Sequence, residues 1–167
     1  MTKKPGMILI MTLVLLSLLS AHSLDLLAQA DFEFWPGAKY DSNIPTFKQV
    51  LGCEPGERIT SHAGIMKYLE ALQEAAPGRL RVFEYARSWE GRKLVYAALG
   101  SEANLKQLEA IRSGMQKLAD PRKTPEAEAT RVMTSLPAVV WLGYGVHGNE
   151  ISSPDAALLT AYHLLAV

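Results

Sequence analysis

The sequence is short of several features that mark particular protein classes. Lys and Arg balance Asp and Glu at 17 each, and no basic block is present, so nothing favours binding to nucleic acid or to an anionic membrane surface. No internal repeat or low-complexity segment is evident. Hydrophobic residues make up 49% of the chain, a globular composition that excludes a disordered tail or a collagen-like repeat. We therefore expect a folded protein without a nucleic-acid partner.

Cysteine is almost absent, and so are several catalytic motifs. Cys53 is the single cysteine of the chain, so it is either a buried thiol or paired with a group outside this chain. The sequence has no Gly-x-Ser-x-Gly elbow, no phosphate-binding loop and no Cys/His pair. These absences leave serine hydrolase, nucleotide-binding and thiol protease functions without support.

The first 30 residues have the pattern of a secretory signal. Lys3-Lys4 precedes an apolar stretch over residues 7–21, and Ala28-Gln29-Ala30 provides small residues for cleavage. The alternative is an uncleaved N-terminal membrane anchor, although Asp25 interrupts the apolar run before it reaches the length of about 20 residues that a span needs. We expect a signal peptide over residues 1–30, a secreted or periplasmic protein, and no membrane partner after cleavage.

The remaining chain divides into an N-terminal arm and one domain. Residues 31–59 are rich in proline, glycine and aromatic residues without a helical or strand period, which predicts an ordered arm. Residues 60–167 begin with a helix capped by Thr60 or Ser61, and a β-hairpin follows it over residues 79–99.

The second half of the domain is predicted to be mainly helical. Ser101 caps a helix that runs to Asp120-Pro121, and a shorter helix starts at Thr124 with Pro125 in its first position. The apolar run 138–142 predicts a strand covered on both faces. A last helix is predicted to be capped by Ser153. The expected fold class is α/β, with an incomplete mixed β-sheet flanked by helices; because the last helix is still apolar at Val167, we interpret the domain as truncated.

The densest chemical signal lies between this strand and the last helix, in Gly143-Tyr144-Gly145-Val146-His147-Gly148-Asn149-Glu150. Catalytic groups are expected at the carboxyl ends of strands in open α/β sheets. His147 and Glu150 can reach one ion from a single turn, and an imidazole with a carboxylate suits zinc. A structural interpretation stays open, in which His147 is a satisfied polar residue and Glu150 marks the helix entry.

Two motifs in this order resemble the M14 family of zinc carboxypeptidases. Their first two zinc ligands lie in a Gly-x-His-x-x-Glu segment, which here is Gly145 to Glu150. An upstream hairpin connection is similar to Ser88-Trp89-Glu90-Gly91-Arg92. The resemblance extends over residues 60–167 and implies a zinc-dependent metallocarboxypeptidase that acts on a peptide or protein substrate.

The resemblance also implies a division of roles. His147 and Glu150 correspond to two of three Zn²⁺ ligands, while the third ligand, the general base and an arginine for the substrate carboxylate have no counterparts before Val167. We therefore assign no catalytic residue within the chain and expect this portion alone to be inactive. Its oligomeric state is not predicted.

Two departures from the family pattern bear on the substrate. Asn149 stands where many members carry an arginine before the ligand glutamate, which puts the peptide specificity in doubt. Asn149 and the nearby Tyr144 are the candidate substrate-binding residues. The stretch 100–137 is longer than in compact members and predicts an added helical layer.

Two other functions remain open. The sequence His-Gly-Asn-Glu also fits zinc amidohydrolases of the aspartoacylase and succinylglutamate desuccinylase type, and a non-catalytic secreted binding module is a third interpretation. The other histidines of the domain, His62 and His163, are expected to have structural roles in their helices.

Overall fold

The structure, a computed structural model, describes residues 35–167. The predicted signal peptide and the first residues of the predicted arm lie outside this range. The chain divides into two units after Ala38. In the first unit the described residues 35–38 form a turn, in which the Ala38 N–H donates to the Trp35 carbonyl at 3.1 Å. The second unit, Lys39–Val167, contains all the elements given below.

The second unit combines helices with one small antiparallel sheet, which confirms the α/β class. Within residues 35–167, no helix combines the length and apolar character needed to cross a bilayer. The elements are, in chain order, α1 (Phe47–Leu51), α2 (His62–Ala75), β1 (Leu80–Arg87), β2 (Lys93–Leu99), α3 (Glu102–Lys106), α4 (Leu108–Ala119), α5 (Glu126–Ser135) and α6 (Ser152–Ala166).

Helix α2 begins where its capping residues predict. The Ser61 hydroxyl accepts the Gly64 N–H at 3.2 Å, which satisfies one of the free amides of the first turn. Tyr68 is fully buried in α2 although the apolar pattern did not mark it. Its hydroxyl donates to the Pro45 carbonyl at 3.0 Å, and burial raises the pKa of the Tyr68 phenol. This residue joins the helix to the arm.

The predicted hairpin is confirmed. Leu80 pairs with Leu99 at one end of the ladder and Arg87 pairs with Lys93 at the other, with an irregularity between Glu84 and Ala86. Gly91, at φ +75°, adopts the left-handed conformation that the connection requires. Mutual hydrogen bonds close that turn, from Gly91 N–H to Ser88 O and from Ser88 N–H to Arg92 O, each 2.9 Å.

The hydrophobic core lies between α2, the inner face of the hairpin and α6. The arm contributes to it through the short helix α1, which the sequence pattern did not predict and which Thr46 caps. Cys53 is buried in this core as a free thiol, so the first of its two predicted states is observed. The buried members are Ile44, Phe47, Cys53, Tyr68, Leu69, Leu72, Ala76, Leu80, Leu158, Ala161, Leu165 and Ala166.

Helix α6 is tied to the rest of the unit at both ends. Near its start the buried Asp155 carboxylate accepts hydrogen bonds from the Gly56 N–H, at 2.9 Å, and from the Thr60 hydroxyl. Near its end the Arg79 guanidinium donates to the carbonyls of Leu165 and Leu164, at 2.7 and 2.9 Å. A cation beside the last carbonyls also complements the helix dipole. These contacts hold α6 against the arm and the hairpin.

The starts of three helices differ from the prediction. The single helix expected after Ser101 is broken at Gln107 into α3 and α4. Helix α5 starts at Glu126, because Pro125 occupies the cap and the Thr124 hydroxyl instead donates to the Lys117 carbonyl at 2.6 Å. Helix α6 starts at Ser152 without a side-chain cap, so the predicted cap at Ser153 was wrong.

The strand predicted over residues 138–142 was also wrong. Within residues 35–167, β1 and β2 pair only with each other, so residues 138–142 join neither strand and the predicted mixed sheet is an antiparallel pair. A strand is stabilised by a neighbouring strand and by layers on its faces. Neither is present here, since Val140 is 77% exposed and Trp141 79% exposed.

Candidate metal site

The candidate ligands lie on an irregular turn that connects the exposed segment 138–142 to α6. Gly145 has φ +69°, the left-handed conformation that lets the backbone reverse direction. The Glu150 N–H donates to the His147 carbonyl at 3.2 Å, and the Ser153 N–H donates to the Glu150 carbonyl at 3.2 Å. We call residues 143–150 the ligand turn; all eight are exposed.

The ligand turn brings the two predicted metal ligands together. His147 Nδ1 lies 2.9 Å from Glu150 Oε1. The side chains are 68% and 53% exposed, so an ion and a substrate can reach both. Donors bound to one zinc ion at about 2.0–2.2 Å and at a tetrahedral angle are roughly 3.3–3.5 Å apart. The observed separation therefore suits two ligands of one zinc ion after an opening of a few tenths of an ångström.

A complete ligand set is not assembled in the described part of the chain. Among residues 35–167 there is no cluster of three His, Cys, Asp or Glu side chains that could hold a metal ion. Two other histidines make structural contacts: His62 Nε2 lies 2.8 Å from the Lys93 carbonyl, and His163 Nδ1 lies 3.2 Å from the Tyr40 hydroxyl. The turn thus offers two candidate ligands, whereas a usual catalytic zinc site has three protein ligands.

The two candidate substrate-binding residues flank the ligand pair. Asn149 is exposed and immediately precedes Glu150. Tyr144 is 42% exposed, and its hydroxyl donates to the Thr160 hydroxyl of α6 at 3.1 Å. The Thr160 hydroxyl in turn donates to the Ala156 carbonyl at 2.8 Å. The residues of this link are far apart in sequence and carry no motif, so sequence analysis missed Thr160.

Aromatic side chains on the hairpin lie beside the segment that leads into the ligand turn. On the outer face of the hairpin, Phe83 stacks on Tyr96 with ring centroids 5.0 Å apart. Trp141 lies next to Tyr96, with a centroid distance of 6.5 Å. Trp89, at the hairpin connection, is fully exposed. The segment that leads into the turn therefore meets the hairpin through aromatic rings and not through a strand ladder.

Comparison with protein families identifies a match. A family model described as zinc carboxypeptidase matches residues 65–167, a region that includes most of α2, the hairpin and the ligand turn. No curated protein and no solved structure shows a significant match to the chain. The matched region contains both His147 and Glu150 and extends over more than half of the chain.

Proposed function

Because this chain belongs to the zinc carboxypeptidase family, we propose that it acts in zinc-dependent hydrolysis at the C-terminus of a peptide or protein substrate. The observation that carries the proposal is the 2.9 Å approach of His147 Nδ1 to Glu150 Oε1 inside the matched region. In this proposal the protein is secreted or periplasmic, and neither nucleic acid nor a membrane is a partner.

His147 and Glu150 would hold the zinc ion. A bound zinc ion lowers the pKa of a coordinated water to about 7 and polarises the scissile carbonyl. Neutral imidazole and ionised carboxylate are the forms in which the two side chains bind a metal. We assign no third ligand and no general base to residues 35–167, and we expect no hydrolysis where those groups are missing.

Asn149 and Tyr144 are proposed to contact the substrate. The Asn149 amide can donate and accept hydrogen bonds but has no charge to pair with a carboxylate. It would therefore hold a free C-terminus less strongly than an arginine, which binds a carboxylate through two parallel charged hydrogen bonds. The half-exposed ring of Tyr144 offers an apolar surface beside the ligands.

Metal binding by the purified, tag-free chain tests the ligand assignment. Zinc affinity is measured by competition with a chromophoric chelator for the parent chain, His147→Ala and Glu150→Ala. Each variant should bind zinc at least about ten-fold more weakly, since each removes one of two ligands. Matched controls are His62→Gln and Glu109→Gln, which change a histidine and a carboxylate outside the ligand turn. Zinc binding that is undiminished in His147→Ala would overturn the assignment.

A hydrolysis assay on the complete protein, including any residues that its gene encodes beyond Val167, then tests the reaction. Peptides with free C-termini are compared with the same peptides carrying C-terminal amides, and with N-acyl amino acids. Preference for free C-termini supports the proposal, whereas preference for N-acyl amino acids would identify an amidohydrolase. Zinc binding without hydrolysis of any of these substrates would favour a non-catalytic binding module.

A further inference from the structure

We infer that Tyr144 and Thr160 are positioning residues, whose hydroxyl-to-hydroxyl hydrogen bond holds the ligand turn in the geometry that binds zinc. The inference rests on the proposed function, because it assumes that His147 and Glu150 are the ligands. It assigns a role to two side chains that would not contact the metal themselves.

The hydrogen bond has a defined direction. A threonine hydroxyl has one hydrogen to donate and two lone pairs that accept. The Thr160 hydroxyl donates its hydrogen to the Ala156 carbonyl at 2.8 Å, within its own helix. Its lone pairs are then directed to the Tyr144 hydroxyl, 3.1 Å away, which must be the donor. The Tyr144 hydroxyl is therefore bound to a side-chain hydroxyl that is itself held by the helix backbone.

Helix α6 is a rigid support for this bond. Leu158, two residues before Thr160, and Ala161, the residue after it, are buried in the core. The other hydrogen bonds of the ligand turn stay within the turn or reach only Ser153. Within residues 35–167, the Tyr144–Thr160 bond is the hydrogen bond that joins the turn to a more distant part of the chain. It therefore limits how far the turn can move from α6.

Gly145 increases the need for such a restraint. It lies between Tyr144 and the ligand His147, and glycine adopts many backbone conformations at little cost. Metal ligands that are not oriented by neighbouring hydrogen bonds bind their ion more weakly. A bond at Tyr144 restrains the chain just before this flexible residue, and Ser153 N–H restrains it just after Glu150.

The test compares zinc affinity in variants that remove only hydroxyl groups. Tyr144→Phe and Thr160→Val should each weaken zinc binding by about five-fold, the equivalent of one hydrogen bond. Thr160→Ser keeps the hydroxyl and should bind within about two-fold of the parent chain. The double variant should be no weaker than either single variant, because both remove the same bond. Tyr85→Phe, which removes an exposed hydroxyl from β1, is the matched control.

Hydrogen exchange on the metal-free protein keeps the two proposals separable. Tyr144→Phe should speed exchange at the amides of Glu150 and Ser153, the hydrogen-bonded N–H groups at the turn. If zinc binding depends on His147 but is unchanged in Tyr144→Phe, the positioning role is overturned and the proposed function stands. If zinc binding does not depend on His147, the proposed function fails. Separately, hydrogen exchange that is unchanged in Tyr144→Phe would overturn the role of the Tyr144–Thr160 hydrogen bond.

Discussion

Two regions of this protein are held together by different forces. The core region, residues 39–99 with α6, contains nearly all the buried side chains. The outer region, residues 106–150, has Thr124 as its one buried residue, and α4 and α5 have none. Hydrophobic burial is the main stabilising term in a folded protein, so the core region supplies most of the stability.

The candidate ligands lie in the less buried of these two regions. The ligand turn belongs to the outer region, and its geometry depends on a few hydrogen bonds and not on packing. Changes in the core region should therefore alter the free energy of unfolding, while changes in the turn should alter metal binding with little effect on unfolding.

The largest effect is expected in the buried face of α6. Leu158 is 1% exposed, and Leu158→Ala should lower the free energy of unfolding by about 2–5 kcal/mol, because it leaves a cavity in the core. Leu164 lies on the same helix but is 50% exposed, so Leu164→Ala should cost less than about 1 kcal/mol. Urea unfolding followed by circular dichroism gives both values. Similar losses in the two variants would contradict the placement of α6.

A smaller effect is expected at the contact between the hairpin and the end of α6. Arg79→Met should cost about 1–2 kcal/mol, because it removes two charged hydrogen bonds to the Leu164 and Leu165 carbonyls. Arg81→Met, on an exposed position of β1, is the control. The same urea measurement applies, and equal stability of Arg79→Met and Arg81→Met would argue against this contact.

In the outer region an apolar residue should be replaceable almost without cost. Val140→Ser should change the free energy of unfolding by less than about 0.5 kcal/mol, since Val140 is 77% exposed. The matched change Val82→Ser, where the valine packs against the core, should cost more. If Val140→Ser were as destabilising as Val82→Ser, residues 138–142 would be buried in solution and the contrast between the regions would fail.

The smallest effect concerns an exposed ion pair of the outer region. Lys117 lies 2.9 Å from Glu128, and its hydrogen bond and charge lower the pKa of the Glu128 carboxyl below its ordinary value. A lowered pKa means that the pair stabilises the folded state above the ordinary pKa and loses this contribution as the pH falls through the folded-state pKa. In Lys117→Met the pKa should return toward its ordinary value. NMR titration of Glu128 measures the shift, which high salt should also reduce.

Most of the features predicted correctly from the sequence depend on residues only a few positions apart in the chain. The capping hydroxyl of Ser61 and the glycine of the 88–92 connection act over a few residues, and both elements form where expected. The spacing of three between His147 and Glu150 likewise places their side chains together within one turn.

The errors arose where the outcome depends on distant partners. The apolar run 138–142 has the composition of a strand, but within residues 35–167 it pairs with neither β1 nor β2, and no layer covers Val140 or Trp141. The break at Gln107 interrupts a continuous helical pattern, and the burial of Tyr68 depends on the arm that covers it. The contact between Tyr144 and Thr160 depends on how the turn meets α6, which no short pattern encodes.

The exposure of Trp89 and Trp141 decides which optical signal can report on folding. An indole that is already in water in the native state has no buried environment to lose, so its emission changes little when the chain unfolds. Trp89 is fully exposed and Trp141 is 79% exposed. The fluorescence of these two tryptophans should therefore change little when the chain unfolds. The same exposure means that the emission of Trp141 should change when a ligand or a protein covers the segment that leads into the ligand turn.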